Sequence, residues 1–146
     1  MSDRSLRLAV ALLALAGAGI AAYLTYAWYA EATIACTSGG CETVQGSSYA
    51  KLAGIPVPVL GLFGYLSILA TALVPGESAR VGAALALAGV AFSGYLLLVQ
   101  VFAIGALCVW CVASDLTMLL VAAATVARLR VAQPAPGIGL DRQSAR

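Results

Sequence analysis

Four apolar runs take up most of this chain: roughly Leu6 to Tyr29, Pro58 to Val74, Val81 to Ala103, and Cys108 to Ala127. A membrane-crossing helix needs ~20 apolar residues, and the second run lies at the short end of the workable ~17–25. No polar stripe of helical period breaks the runs, as it would on the surface helices of a soluble bundle. With 62% hydrophobic and 10% charged residues among 146, little is left from which to build a soluble core beside them. The expected fold is therefore all-α and integral to a membrane: a four-transmembrane-helix bundle forming one domain over residues 1–130. Residues 131–146, which include Gln133-Pro134-Ala135-Pro136-Gly137, read as a disordered tail.

Charge gives the bundle an orientation. Arg4, Arg7, Arg80, Arg128, Arg130, Arg142 and Arg146, seven of the eight basic residues, fall on one side of a four-span arrangement. The other side holds Lys51 with Glu31 and Glu42. By the positive-inside rule both termini are expected in the cytoplasm, in a multi-pass protein of the cell inner or plasma membrane. The long loop between the first and second helices is then extracytoplasmic. The first run starts basic, as a signal peptide does, but it exceeds the ~7–15 residues of a signal core and is read as a retained helix.

Four cysteines form two close pairs, Cys36 with Cys41 and Cys108 with Cys111. Two apolar runs separate the pairs, so a chain crossing twice between them brings both to the same face. That face is outside the cytosol, where disulfides persist. In Cys108-Val109-Trp110-Cys111, two cysteines three apart at a helix start are able to close a small ring. The free N–H groups and dipole of the helix terminus favour the thiolate. Cys36 and Cys41 enclose Gly39 and Gly40, a flexible ring suited to a shuttle; the plainer alternative is a static disulfide that pins the loop. Four thiolates are also able to bind zinc. With no histidine, with pairs from separate elements and on an oxidising face, no metal is expected.

The stretch from Ala30 to Val57 is the longest irregular one. Its Gly-, Ser- and Thr-rich start favours a mobile loop. Ser47 to Gly54 is expected as a short surface helix, and Pro56 and Pro58 as an extended entry into the second span. Val74-Pro75-Gly76-Glu77 reads as a tight cytoplasmic turn. Gly17, Ala21, Gly82, Ala86 and Gly89 recur at near-helical spacing and suit close backbone packing in lipid. Trp28, Tyr29 and Trp110 fall at interface depth and suit the aromatic belt, with Trp110 also placed to shield the thiols.

The loop pair, Ser47 six residues beyond Cys41, the entry Gly54-Ile55-Pro56 and the Cys108–Cys111 motif together resemble the vitamin K epoxide reductase family in its bacterial form. The likeness covers about residues 6 to 128. It implies a four-helix bundle around a quinone pocket that oxidises the thiols of a thioredoxin-like partner. Many bacterial members carry that partner as a fused C-terminal domain. This sequence contains none, so the resemblance implies the stand-alone form, with a separate secreted, DsbA-like partner. It makes Cys36 and Cys41 the shuttle and Cys108 and Cys111 the quinone-side pair. Cys111 would meet the quinone, a ubiquinone or menaquinone, and Cys108 would exchange with the loop through Cys41. Ser47 would hydrogen-bond the quinone or orient Cys111, or else cap the surface helix. Leu60, Phe63 and Tyr65 are expected as pocket wall or as ordinary packing.

Asp115 lies four residues beyond Cys111 on the same helical face, and an acid inside a span marks a functional site by default. It is expected to donate a proton or hydrogen bond to a quinone oxygen, or to pair with Ser93 or Gln100. Animal members have a tyrosine at that position and an asparagine at the position of Val57. Those departures disfavour vitamin K epoxide itself as substrate. The expected function is thus a membrane thiol:quinone oxidoreductase that supports disulfide bond formation, with no nucleic-acid partner. A DsbB-like protein would run the same reaction, but its tight pair opens the second helix. The rivals from other classes are a Cu(I) or metal carrier, a transporter subunit and a scaffold with inert disulfides.

Overall fold

The computed structural model describes residues 2–74 and 78–132. The expected cytoplasmic turn at Pro75–Glu77 and residues 133–146 of the expected tail lie outside the described residues. Helix α1 runs Asp3–Tyr29, with the Ser2 hydroxyl accepting from the Ser5 N–H at 3.3 Å as its cap. Five-residue α2 spans Cys41–Gln45, α3 Val57–Leu73, α4 Ser78–Leu98 and α5 Val109–Ala132. Pro58 sits in the first turn of α3, where its missing N–H costs nothing. A π-helical turn, Val99–Ile104, prolongs α4 and stops at Gly105, whose φ of +70° favours glycine.

Among the described residues, three helices are long and apolar enough to cross a membrane: Asp3–Tyr29, α4 with its π turn (Ser78–Ile104), and Val109–Val131. The fourth apolar helix, α3, has 17 residues. At ~1.5 Å per residue it is about 26 Å long, a little less than the ~30 Å of a hydrocarbon core. The four long helices pack as a ring, α1 on α3, α3 on α4, α4 on α5 and α5 on α1. Leu8, Leu12, Leu66, Leu87, Leu116 and Leu120 are exposed on its outer surface, as suits a lipid solvent.

Small residues set the spacing inside the ring. Val10, Ala14, Ala21, Ile68, Ala86 and Val121 are buried with Tyr65 in the core. A Cβ on Gly17 would overlap the Tyr65 ring, one on Gly82 would come to 2.6 Å from Thr71 Oγ1, and one on Gly89 to 2.7 Å from Met118 Sδ. The helices approach closely at the glycines singled out in the sequence, and packing is their use.

At the end of the bundle where α1 starts and α5 stops, two arginines satisfy the orphan carbonyls where α3 ends. Arg7 donates to Ala72 O (2.9 Å) and Leu73 O (2.8 Å). Arg128, 2% exposed, donates to Thr71 O (3.0 Å) and Val74 O (3.3 Å) and pairs with Asp3 at 3.2 Å.

At the opposite end the local structure departs from expectation. The surface helix expected over Ser47–Gly54 is a 3-10 turn, Ser48–Ala50, followed by a two-stranded hairpin. Its strands β1 (Lys51–Leu52) and β2 (Ile55–Pro56) pair antiparallel. The cause is local: Ala53 and Gly54 both take positive φ, 51° and 84°, the backbone of a two-residue hairpin turn. The loop expected to be irregular contains α2, started at Cys41.

Candidate redox site

The loop end brings the two cysteine pairs together. Cys36 and Cys41 are joined by a disulfide, while Cys108 and Cys111 are thiols. Cys41 and Cys108 are fully buried in one apolar cluster with Val44, flanked by Cys36, Cys111, Ile104 and Trp110. Cys36 is less enclosed than Cys41.

The loop is strapped down by named contacts. Trp110 Nε1 donates to Ala35 O at 2.7 Å, and the Ala35 N–H donates to the Tyr23 hydroxyl at 3.1 Å. The Tyr23 and Trp110 rings meet at 5.0 Å between centroids. The Ser38 hydroxyl donates to Leu107 O at 3.1 Å, and Gly40 lies so close to the same carbonyl that a Cβ would strike it. Trp110 thus holds the loop over the thiols.

Cys108 immediately precedes α5 and acts as its cap, with the Cys111 N–H pointing at Cys108 Sγ (3.4 Å). The Cys111 side chain, aided by the N–H groups of Cys111 and Trp110 and opposed by burial, brings the Cys108 thiol down to about 7. The Cys108 N–H in turn donates to Gln100 Oε1 at 2.9 Å. Gln100 is 3% exposed and sits in the π turn, a distortion that recurs at functional sites. Gln100 was expected as a possible partner of Asp115; it serves Cys108 instead.

Beside Cys111 the four long helices enclose an apolar cavity of about 170 Å³, covered at the loop end by residues 44–50. Ser47, Leu60, Cys111 and Asp115 all line it. Phe63 does not: it is 66% exposed on the outer surface of α3. The Ser47 hydroxyl is turned to its own backbone, donating to Val44 O at 2.7 Å, and makes no cap bond to the following turn. Tyr65 is buried and donates to Ser114 O at 2.7 Å. Asp115 takes a hydrogen bond from Ser93, as expected, but its buried Oδ2 has no partner among the described residues. A buried carboxyl oxygen without a donor calls for a ligand group or a proton.

Among the described residues no group of three or more Cys, His, Asp or Glu gathers to hold a metal ion. The cavity suits a quinone headgroup. Dry protein cavities of ~150 Å³ admit a benzene-sized ring, and the orphan Asp115 oxygen supplies a polar contact for a ring oxygen.

The model of the vitamin K epoxide reductase family matches residues 8–126. The chain belongs to that family. Membership makes it a membrane protein of an oxidoreductase family, and the two cysteine pairs at one end of the bundle fit thiol chemistry. Two residues at this family member's site escaped the sequence reading. Gln45 reaches Cys111, with Nε2 3.8 Å from Sγ. Tyr23 was one aromatic among several in an apolar run, with nothing to mark it. Gln100 carried a signal, a lone amide among apolar residues, but the sequence did not say which neighbour it served.

Proposed function

We propose that this protein is a thiol:quinone oxidoreductase that reoxidises a separate secreted thioredoxin-like, DsbA-like partner and so supports disulfide bond formation. In this reading residues 1–130 form a single four-span domain in the plasma or inner membrane, with α3 as the shortest span. Both termini are cytoplasmic and both cysteine pairs extracytoplasmic. The observation that carries the reading is the single cluster that buries Cys41 with Cys108, set beside a cavity lined by Cys111 and Asp115.

A partner thiolate attacks Cys36, the less enclosed sulfur of the loop disulfide, and releases Cys41 as the leaving thiolate. The partner's second thiolate then resolves the mixed disulfide, leaving Cys36 and Cys41 as a dithiol. Cys41 attacks Cys108 of the Cys108–Cys111 disulfide and frees Cys111. Cys36 next attacks Cys41, which restores the loop disulfide and leaves Cys108 and Cys111 reduced. That is the arrangement of the four sulfurs in the structure.

A quinone in the cavity would accept two electrons and two protons, and that acceptor gives the sequence its direction. Cys111 and Asp115 would face its headgroup, with Leu60 as apolar wall and Ser47 at the covered end. Asp115 holds a proton-transfer position through its unpartnered Oδ2. The test is quinone reduction by a reduced partner, followed with purified protein and a short-chain ubiquinone or menaquinone. Cys111→Ala is expected to abolish it. Retained turnover in that variant would end the proposal.

A further inference from the structure

Gln45 is the last residue of α2, four positions after Cys41, and its side-chain amide lies within hydrogen-bond reach of Cys111 Sγ. The same side chain lines the cavity beside Asp115. A thiolate in apolar surroundings requires donors, because a buried charge without them is strongly disfavoured. Reactive cysteines commonly find that help in a neighbouring cation. Among the described residues no Lys or Arg lines the cavity, and Lys51 sits over the Trp28 ring, 5.3 Å from its centroid. Three other polar groups nearby point elsewhere. The Cys111 N–H points at Cys108 Sγ, the Ser47 hydroxyl at Val44 O, and the Gln100 oxygen takes the Cys108 N–H. Asp115, one helical turn further along, offers a carboxyl group and no cation.

We propose that Gln45 is a catalytic residue of the electron-delivering half of the reaction: its amide donates a hydrogen bond to Cys111 Sγ and stabilises the negative charge that develops there once Cys111 gives up its proton. The inference rests on the thiol:quinone reading above. In that half, Cys108 and Cys111 together lose two electrons and two protons as their S–S bond forms. The quinone takes up both electrons and both protons. The amide is not consumed; it stabilises the negative sulfur before the bond closes. The five-residue helix that carries this donor also begins with the shuttle cysteine, so the seating of Cys41 against Cys108 and the reactivity of Cys111 depend on one element.

The test reads Cys111 directly, apart from turnover. In a Cys108→Ala background with the Cys36–Cys41 disulfide intact, Cys111 is the only free thiol, and its alkylation by N-ethylmaleimide is followed at fixed neutral pH. Gln45→Leu and the equal-sized Gln45→Glu are both expected to slow alkylation roughly tenfold, which corresponds to about 1.4 kcal/mol. Gln45→Lys, which returns an N–H donor of similar reach, is expected to match or exceed the parent rate. With all cysteines present, quinone turnover should follow the same order. Parent-like alkylation in Gln45→Leu and Gln45→Glu would overturn the role, as would equal slowing in Gln45→Lys, which would mark a packing effect. If quinone reduction instead persists in Cys111→Ala, the thiol:quinone reading itself fails, an outcome distinct from either.

Discussion

Cys108 and Cys111 are three residues apart and chemically unequal. Cys108 ends the linker ahead of α5, where the Cys111 side chain and two backbone N–H groups converge on its sulfur and bring it to about 7. A thiol near that value is about half thiolate at neutral pH, which suits a sulfur that exchanges with an incoming cysteine. The ultraviolet absorbance of thiolate should therefore rise through pH 7 as the reduced protein is titrated, because the anion forms above the midpoint. Replacing Cys111 with alanine removes the largest cause of the lowering, so the Cys108 midpoint should move up toward the ordinary thiol range. A midpoint unchanged by Cys111→Ala would contradict that account. The cysteines were legible from spacing alone, because few other arrangements of four cysteines reach one face. Their support was not. Gln100 and Gln45 act through distances that only the folded backbone sets, and Phe63 fell on the wrong side because an all-apolar helix does not say which face points inward.

Among the elements, α1 and α3 come closest where Gly17 meets the Tyr65 ring. Tyr65 is 1% exposed and tethered to Ser114, so its ring has nowhere to move if a methyl group is added at Gly17. Gly17→Ala should cost ~1–3 kcal/mol by overpacking. Gly89→Ala meets the end of the flexible Met118 side chain and should cost clearly less. Thermal melts in detergent test the contrast, and an equal loss at the two positions would count against it. The long helices were legible because a bilayer demands long unbroken apolar runs, and the structure has helices at all four. The loop-end elements were not. The positive φ at Ala53 and Gly54 and the start of α2 at Cys41 are local conformational choices that composition does not reveal.

Over the whole molecule, the charge asymmetry of the sequence has a structural counterpart. Arg7 and Arg128 gather at the end away from the cysteines, where both close α3 and Arg128 pairs with Asp3. Their role as helix caps could not be read from sequence, which counted them only as orienting charges. If that end is cytoplasmic, a membrane-impermeant maleimide applied to intact, mildly reduced cells should label Cys36 without lysis. Labelling that appears only after lysis would invert the topology. In the proposed function the bundle is a relay from an aqueous face to an apolar cavity, with Cys41 and Cys108 as the point of transfer. Most direct is a cross-link between those two sulfurs. In a Cys36→Ser, Cys111→Ser variant only Cys41 and Cys108 remain, and mild oxidation followed by mass spectrometry should find them joined within one chain. The Cys41→Ser, Cys111→Ser variant, which keeps Cys36 with Cys108, should cross-link far more slowly. No Cys41–Cys108 bond, or faster joining of Cys36 to Cys108, would contradict the relay.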